Sequence, residues 1–320
     1  GAWGLGLAIG YGQARANGHG AEDHADALVY RVYAGYTRSF GPMRQFSVRL
    51  QSSQDMPAAS LFHPSGLLSG QGTVLDGARD IRFSVTHSLQ ASYLFNNLQR
   101  GASLLVMASG STGNCQYNMA LEAYPAFTVM MPLATDGNRN LSLQLKGERY
   151  FKSLRSKFSL QLSGLYLEDH MAYNRLMSRN RVSNMRIQSR WASVFRGMLN
   201  GEVSTSSWYT TNLTVPDSGL STRFSQWQHQ GYAKLRLACS ERLFMAVQYN
   251  GYRLSEENYF QSLDAYVKWT IGAAWSLALY GHNLLQSRVI EQRQFSVNAQ
   301  SSQSFVLVPR YVMARIQCQF

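Results

Sequence analysis

The densest group of chemistry-bearing side chains is Gly18-His-Gly-Ala-Glu-Asp-His-Ala-Asp26. Imidazoles on His19 and His24, with carboxylates on Glu22, Asp23 and Asp26, are donor types that hold a divalent cation. A metal site also needs a scaffold that fixes its ligands, and residues 12–27 read as a solvated polar loop with nothing to fix them. Glu256-Glu257 is a second carboxylate pair, with no acid–base partner identifiable from the sequence. The chain has no G-x-S-x-G, no H-E-x-x-H and no phosphate-binding loop. Its cysteines, Cys115, Cys239 and Cys318, are odd in number and lack metal-ligand spacing. No catalytic, cofactor-binding or metal residue is assigned, no cofactor is expected, and the chain reads as a non-enzyme.

Composition narrows the class. Apolar residues make up 45% of the 320 and charged residues 15%, below the roughly 25% charged of soluble domains. The longest apolar runs, such as Leu104-Leu-Val-Met-Ala108, fall far short of the ~20 residues a membrane helix needs. A helical membrane protein is excluded; a membrane barrel is not, because alternation keeps mean hydropathy near zero. The net charge of +12 comes from basic residues scattered singly, so no nucleic-acid partner is expected. Anionic lipid heads or lipopolysaccharide are one partner class for such a chain; a basic bias with no specific partner is the other reading. The opening Gly-Ala-Trp-Gly-Leu-Gly lacks an initiator Met, a basic leader and a cleavage site. A processed precursor or a piece of a longer protein is therefore expected.

Period-two alternation runs from end to end. Trp3, Leu5, Leu7, Ile9 and Tyr11 share one face, and Gly4, Gly6, Ala8 and Gly10 the other. The pattern returns in 28–37, 46–51, 81–93, 141–145, 158–162, 227–237, 243–251, 263–271 and 275–281. It closes the chain in Arg310-Tyr-Val-Met-Ala-Arg-Ile-Gln-Cys-Gln-Phe320. In that strand Ile316, Cys318 and Phe320 are expected to face lipid, and Arg315, Gln317 and Gln319 the lumen.

The connections alternate as well. Short turns fall near 41–44, 96–101, 152–156, 196–198, 239–242 and 271–274. Longer loops fall near 12–27, 54–79, 119–138, 169–181, 211–222, 255–261 and 287–304. Short periplasmic turns on one side and long extracellular loops on the other are the layout of outer-membrane barrels. The expected fold is all-β: one antiparallel transmembrane β-barrel region over 1–320, of about fourteen strands, in the cell outer membrane. Cys239 and Cys318 then lie four strands apart, roughly 19 Å at ~4.8 Å per strand, too far to bridge.

Specific segments resemble a family. Met56-Pro-Ala-Ala-Ser-Leu-Phe-His-Pro64, a loop, then Arg82-Phe-Ser-Val-Thr-His-Ser-Leu-Gln-Ala-Ser-Tyr93 is similar to one region of Bacteroidetes-type TonB-dependent receptor barrels. Leu279-Tyr-Gly-His-Asn-Leu-Leu-Gln-Ser-Arg288 resembles that family's penultimate strand, and the terminal strand its closing one. Asn140-Leu-Ser-Leu-Gln-Leu145 with Phe158-Ser-Leu-Gln-Leu162 is similar to its central hairpins. The resemblance implies uptake of a bulky nutrient through a barrel of about twenty-two strands with a plug. This chain matches only the C-terminal part, so a plug domain and an energy-coupling protein are partners only of a longer chain. A terminal strand ending in Phe320 implies contact with the barrel-assembly machinery.

A self-contained fourteen-stranded passive pore or hydrophobic-solute channel is the alternative. A surface-binding barrel is another, with loop 54–79 and its Leu61, Phe62, Leu67 and Leu68 as the contact. Arg82, Thr86, Gln90, Gln226, Gln228, Gln230, Lys234, Arg236, Asp264 and Lys268 are expected on the lumenal face. They hydrate a lumen or contact a solute, and none is assigned a ligand.

Overall fold

The structure, a computed structural model, describes residues 1–18, 21–58, 61, 67–68, 72–78, 81–193, 198–253, 259–272, 274–287, 289–295, 300–306 and 308–318. In chain order the strands open with β1 (Ala2–Gly18), β2 (Ala21–Ser39), β3 (Arg44–Asp55), β4 (Leu67–Leu68) and β5 (Thr73–Leu75). There follow β6 (Ser84–Asn97), β7 (Ala102–Asn114), β8 (Gln116–Ala123), β9 (Thr128–Thr135) and β10 (Asn138–Phe151). Next come β11 (Ser156–Tyr173), β12 (Leu176–Ser193), β13 (Leu199–Pro216), β14 (Thr222–Ala238) and β15 (Leu243–Arg253). The last are β16 (Tyr259–Ile271), β17 (Trp275–His282), β18 (Val289–Phe295), β19 (Gln300–Val306) and β20 (Tyr311–Cys318).

Eighteen strands form one sheet, and β18–β19 is a separate hairpin. Setting aside the four short strands β4, β5, β8 and β9 leaves a wall of fourteen. Each is antiparallel to the next, in the order β1-β2-β3-β6-β7-β10-β11-β12-β13-β14-β15-β16-β17-β20. This up-and-down wall is the build of an outer-membrane barrel, as the alternation leads one to expect. It is not closed. Among the described residues β1 pairs only with β2 and β20 only with β17.

The wall is inverted relative to a soluble core. Among the described residues the buried apolar side chains are few: Pro57, Ile81, Ala120, Met131, Ala172 and Ala278. Leu5 is 81% exposed, Leu141 58%, Trp227 52% and Ile316 71%. An aqueous protein would hide such a continuous greasy surface; a lipid-facing wall presents it.

Register keeps that surface on one side. Leu143 pairs with Ala108 and Gly164, Gly164 with Met185, Met185 with Tyr209, and Tyr209 with Trp227. Leu235 pairs with Val247, Trp269 with Leu277, and Leu277 with Ile316. A one-residue slip anywhere would turn a strand's apolar set inward, so the pattern itself fixes register.

Both terminal strands reach the short-turn side, where Ala2 pairs with Thr37 and Cys318 with Trp275. The short connections lie where the sequence places them: 40–43, 98–101, 152–155, 194–198, 239–242 and 272–274. The opposite side departs from expectation in several places: 119–138 holds most of the β8–β9 hairpin, 287–304 holds most of the β18–β19 hairpin, and β13 runs on to Pro216. The segment 12–27 is not a loop, because β1 runs to Gly18 and β2 starts at Ala21. The segment 169–181 is not a loop either, since β11 and β12 continue to a turn at Asn174-Arg175. Both turn residues have positive φ, 49° and 67°, the type I′ geometry whose twist matches the strands. The usual Asn-Gly signature is missing, so the sequence reads as a loop.

Strands β11, β12 and β13 each have 18 residues. At ~3.4 Å per residue and a tilt near 40° they rise about 45 Å, against an apolar band of about 25 Å. Their upper ends stand clear of that band.

Candidate lumenal wall and loop-side cap

The face opposite the apolar one is mostly polar, with scattered apolar and aromatic side chains such as Met107, Leu165, Trp208 and Phe244. Every expected lumenal residue that lies in a strand is on it, because each pairs with another member of that face. Gln90 faces Arg49 and Ser109, Gln228 faces Trp208, and Lys234 faces Glu202 and Gln248. Asp264 also faces Gln248, and Lys268 faces Phe244 and Ala278. Arg82 is the exception, lying before β6, where its backbone N–H donates to the Tyr117 hydroxyl at 2.7 Å.

Cross-strand pairs organise this face. Glu148 receives Lys157 at 2.9 Å and Lys146 at 3.5 Å. Glu202 receives Arg190 at 2.8 Å and a hydrogen bond from the Tyr232 hydroxyl. His282 Nδ1 lies 2.9 Å from Asp264. Arg186 donates to Ser206 at 3.1 Å and lies over the Trp208 ring at 5.9 Å. Arg49 lies 4.8 Å over Tyr33, whose own ring covers Gly6; a Cβ there would come within 2.0 Å of it. Lys234, Arg236, Lys268 and Arg315 add further cations to the same face. Tyr266 and Tyr280, with rings 4.7 Å apart, give it an aromatic step.

These contacts join neighbouring strands into a ladder. They do not converge on one point, and no set of nucleophile, base and orienting group is assembled among the described residues. No group of three or more possible metal ligands occurs among them either. In the acidic segment only the Asp26 side chain is described; those of His19, Glu22, Asp23 and His24 lie outside the described residues, as do Glu256, Glu257 and Phe320.

Above the wall the loops extend the same sheet in a small branch. β8 and β9 form a hairpin, β5 joins β9 in parallel, and β4 pairs with β5. β8 joins the upper end of β11 in parallel, Ala120 beside Ala172. Ala120, Met131 and Ala172 form a buried cluster covered by Val129, Leu133 and Met177. The I′ turn clamps it: Asn174 N–H donates to Leu121 O at 2.8 Å, and Asn174 Oδ1 accepts Ala123 N–H at 2.7 Å. Leu67 and Leu68 of the expected contact loop are thus strand residues; Phe62 lies outside the described residues.

A polar hinge holds the base of that cap. Cys115, between β7 and β8, donates its N–H to Asp136 Oδ1 at 2.7 Å, and its thiol lies 3.4 Å away. The backbone N–H of Cys115 holds the Asp136 carboxyl below the usual carboxylate range, helped by the thiol and by Arg82. Burial pushes the Cys115 thiol up, with Asp136 adding to the shift. All three cysteines are free, as the four-strand separation of Cys239 and Cys318 requires.

No family model matches the chain, and no curated protein matches it by sequence. Solved structures do resemble it in build. The siderophore receptor PirA from Acinetobacter baumannii is 9% identical, with a TM-score of 0.44 over 92% of this chain and 48% of the receptor. The chain thus spans about half the length of that receptor. The toluene transporter TodX of Pseudomonas putida is 10% identical, with a TM-score of 0.28 over 99% of this chain and 89% of the transporter. The toluene transporter TbuX of Ralstonia pickettii is 10% identical, with a TM-score of 0.26 over 99% and 88%.

Proposed function

We propose that the chain is part of the wall of an outer-membrane transport barrel, the C-terminal portion of a TonB-dependent receptor that takes up a bulky nutrient. The observation that carries this reading is the open sheet. Among the described residues β1 and β20 each offer an edge of backbone N–H and C=O groups with no partner strand beyond. In hydrocarbon each such group costs several kcal/mol, so a lipid-embedded wall has to be completed. Further strands complete it in this reading, giving a lumen wide enough for a plug. The order of the family-like segments and the polar, cation-rich inner face support it.

One observation favours a second reading. The wall has an even number of strands, β1 rises where β20 descends, and both terminal strands reach the same side. Those two edges could therefore pair antiparallel and close a fourteen-stranded passive pore.

Cysteine pairs scanned along β1 and β20 in the native membrane separate the two, with Cys115, Cys239 and Cys318 replaced by Ser. Leu277→Cys with Ile316→Cys, neighbours in the structure, is the positive control. Cross-linking of the control with none between β1 and β20 supports the wider barrel. Efficient β1–β20 cross-linking at a single register would contradict it and establish the narrow pore.

A further inference from the structure

The apolar face ends upward in arginine. Register aligns Arg139, Glu168, Arg181, Leu213 and Arg223 in one row across β10 to β14. All lie on the face that carries Leu143, Met185, Tyr209 and Trp227, because an even number of residues separates them along each strand. The row spans roughly 19 Å at ~4.8 Å per strand. Arg223 stands four residues beyond Trp227, about 10 Å higher along the membrane normal.

The row has internal order. The Glu168 side chain is 7% exposed and takes Arg181 Nε at 3.1 Å and Arg179 Nε at 3.8 Å. The Tyr166 hydroxyl donates to the same carboxylate at 2.6 Å. One enclosed acid therefore holds two guanidinium groups by their Nε edges. Their side chains remain 47% and 38% exposed, at Arg179 and Arg181. Arg139 and Arg223 extend the row on either side, and both are exposed. Four cations against one carboxylate leave the patch strongly positive.

We propose that this row binds the phosphate groups of outer-leaflet lipid, a phosphorylated glycolipid whose chains lie on the apolar belt below. The inference rests on the reading of this face as lipid-facing. Guanidinium forks suit phosphate oxygens in bidentate pairs. The patch sits where head groups begin, just above an interfacial aromatic pair. A lumenal anion site would need these arginines on the other face.

The test is binding of a bis-phosphorylated glycolipid to the completed barrel in non-ionic detergent (the chain with its further strands, or the chain alone if β1 cross-links to β20), read by native mass spectrometry. Arg139→Gln/Arg181→Gln/Arg223→Gln is compared with Arg38→Gln/Arg44→Gln/Arg149→Gln. The latter removes equal charge from the lower end of the same face, where these arginines lie over Phe40, Phe95 and Phe151. The upper triple is expected to weaken binding at least tenfold and the lower triple less than threefold. The dephosphorylated glycolipid should bind wild type no better than the phosphorylated lipid binds the upper triple. Arg139→Gln/Arg223→Gln, which leaves the Glu168 cluster intact, should give an intermediate loss if the larger variant misfolds. Equal losses from both triples, no loss from the upper one, or displacement of the lipid by equimolar inorganic phosphate would overturn the proposal. A heat-modifiable gel shift of the wild type reports the folded barrel separately. Its absence would sink the transmembrane reading, whereas a normal shift with unchanged binding would sink only this one.

Discussion

Tyr209 and Trp227 face each other across β13 and β14 with ring centroids 4.7 Å apart and planes at 33°, on the side of the wall where Met185 also lies. Amphipathic rings gather at the membrane interface, so this pair marks the upper edge of the apolar band. Trp208, one residue from Tyr209, lies on the other face beside Tyr252 and Arg186. Single-tryptophan variants should therefore divide cleanly. Trp227 fluorescence should be quenched by brominated lipid and Trp208 fluorescence by aqueous iodide. Reversed quenching would mean that the faces are assigned the wrong way round.

The same division has an energetic form. Leu143→Arg places a cation on the lipid face within the band and should destabilise the barrel by about 2–4 kcal/mol. Gln144→Arg, the next residue and on the lumenal side, should cost little. Urea unfolding of the two variants in lipid vesicles measures the contrast.

These two faces were legible because Leu143 and Gln144, or Leu235 and Lys234, alternate without interruption. So were the short turns and the number of wall strands. Strands β12 and β13 gave no such signal, since their outward positions include Ser183, Ser189, Thr205, Ser207 and Thr211. Only the spacing of neighbouring turns implied them. The loop-side branch was hidden because, beyond their own hairpin, β8 and β9 join β11 and β5, segments distant in sequence, through contacts as small as Ala120 against Ala172. The arginine row was hidden for a similar reason: Arg139, Arg181 and Arg223 lie about forty residues apart and meet only through register.

Asn174 joins the I′ turn to β8 through its backbone and its side chain. Asn174→Ala leaves an L-residue with a β-carbon at positive φ and removes the acceptor for Ala123 N–H. A loss of about 1–3 kcal/mol is expected, concentrated in the cap. Limited proteolysis should show faster cleavage near 121–127 with the wall still protected; unchanged cleavage would mean the cap is held elsewhere.

The Cys115–Asp136 pair titrates with a definite sign. The carboxyl is lower in the folded state than in the unfolded one, so its contribution is present above the ordinary carboxylate range. That contribution fades as pH falls through the folded value. The thiol is raised, so less thiolate is present near pH 8–9 than for an ordinary cysteine. Alkylation of Cys115 at that pH should be slow and should accelerate in Asp136→Asn, which removes the negative charge. Equal rates in the two proteins would mean that the carboxylate does not govern the thiol.

Accessibility along one strand tests the transmembrane wall most directly. Spin labels placed singly from Gln226 to Leu235 of β14, in the outer membrane, would be relaxed by oxygen and by a water-soluble nickel complex. The account predicts strict alternation: oxygen-accessible at 227, 229, 231, 233 and 235, and nickel-accessible at 226, 228, 230, 232 and 234. Nickel access at every position, or oxygen access at the even ones, would contradict it.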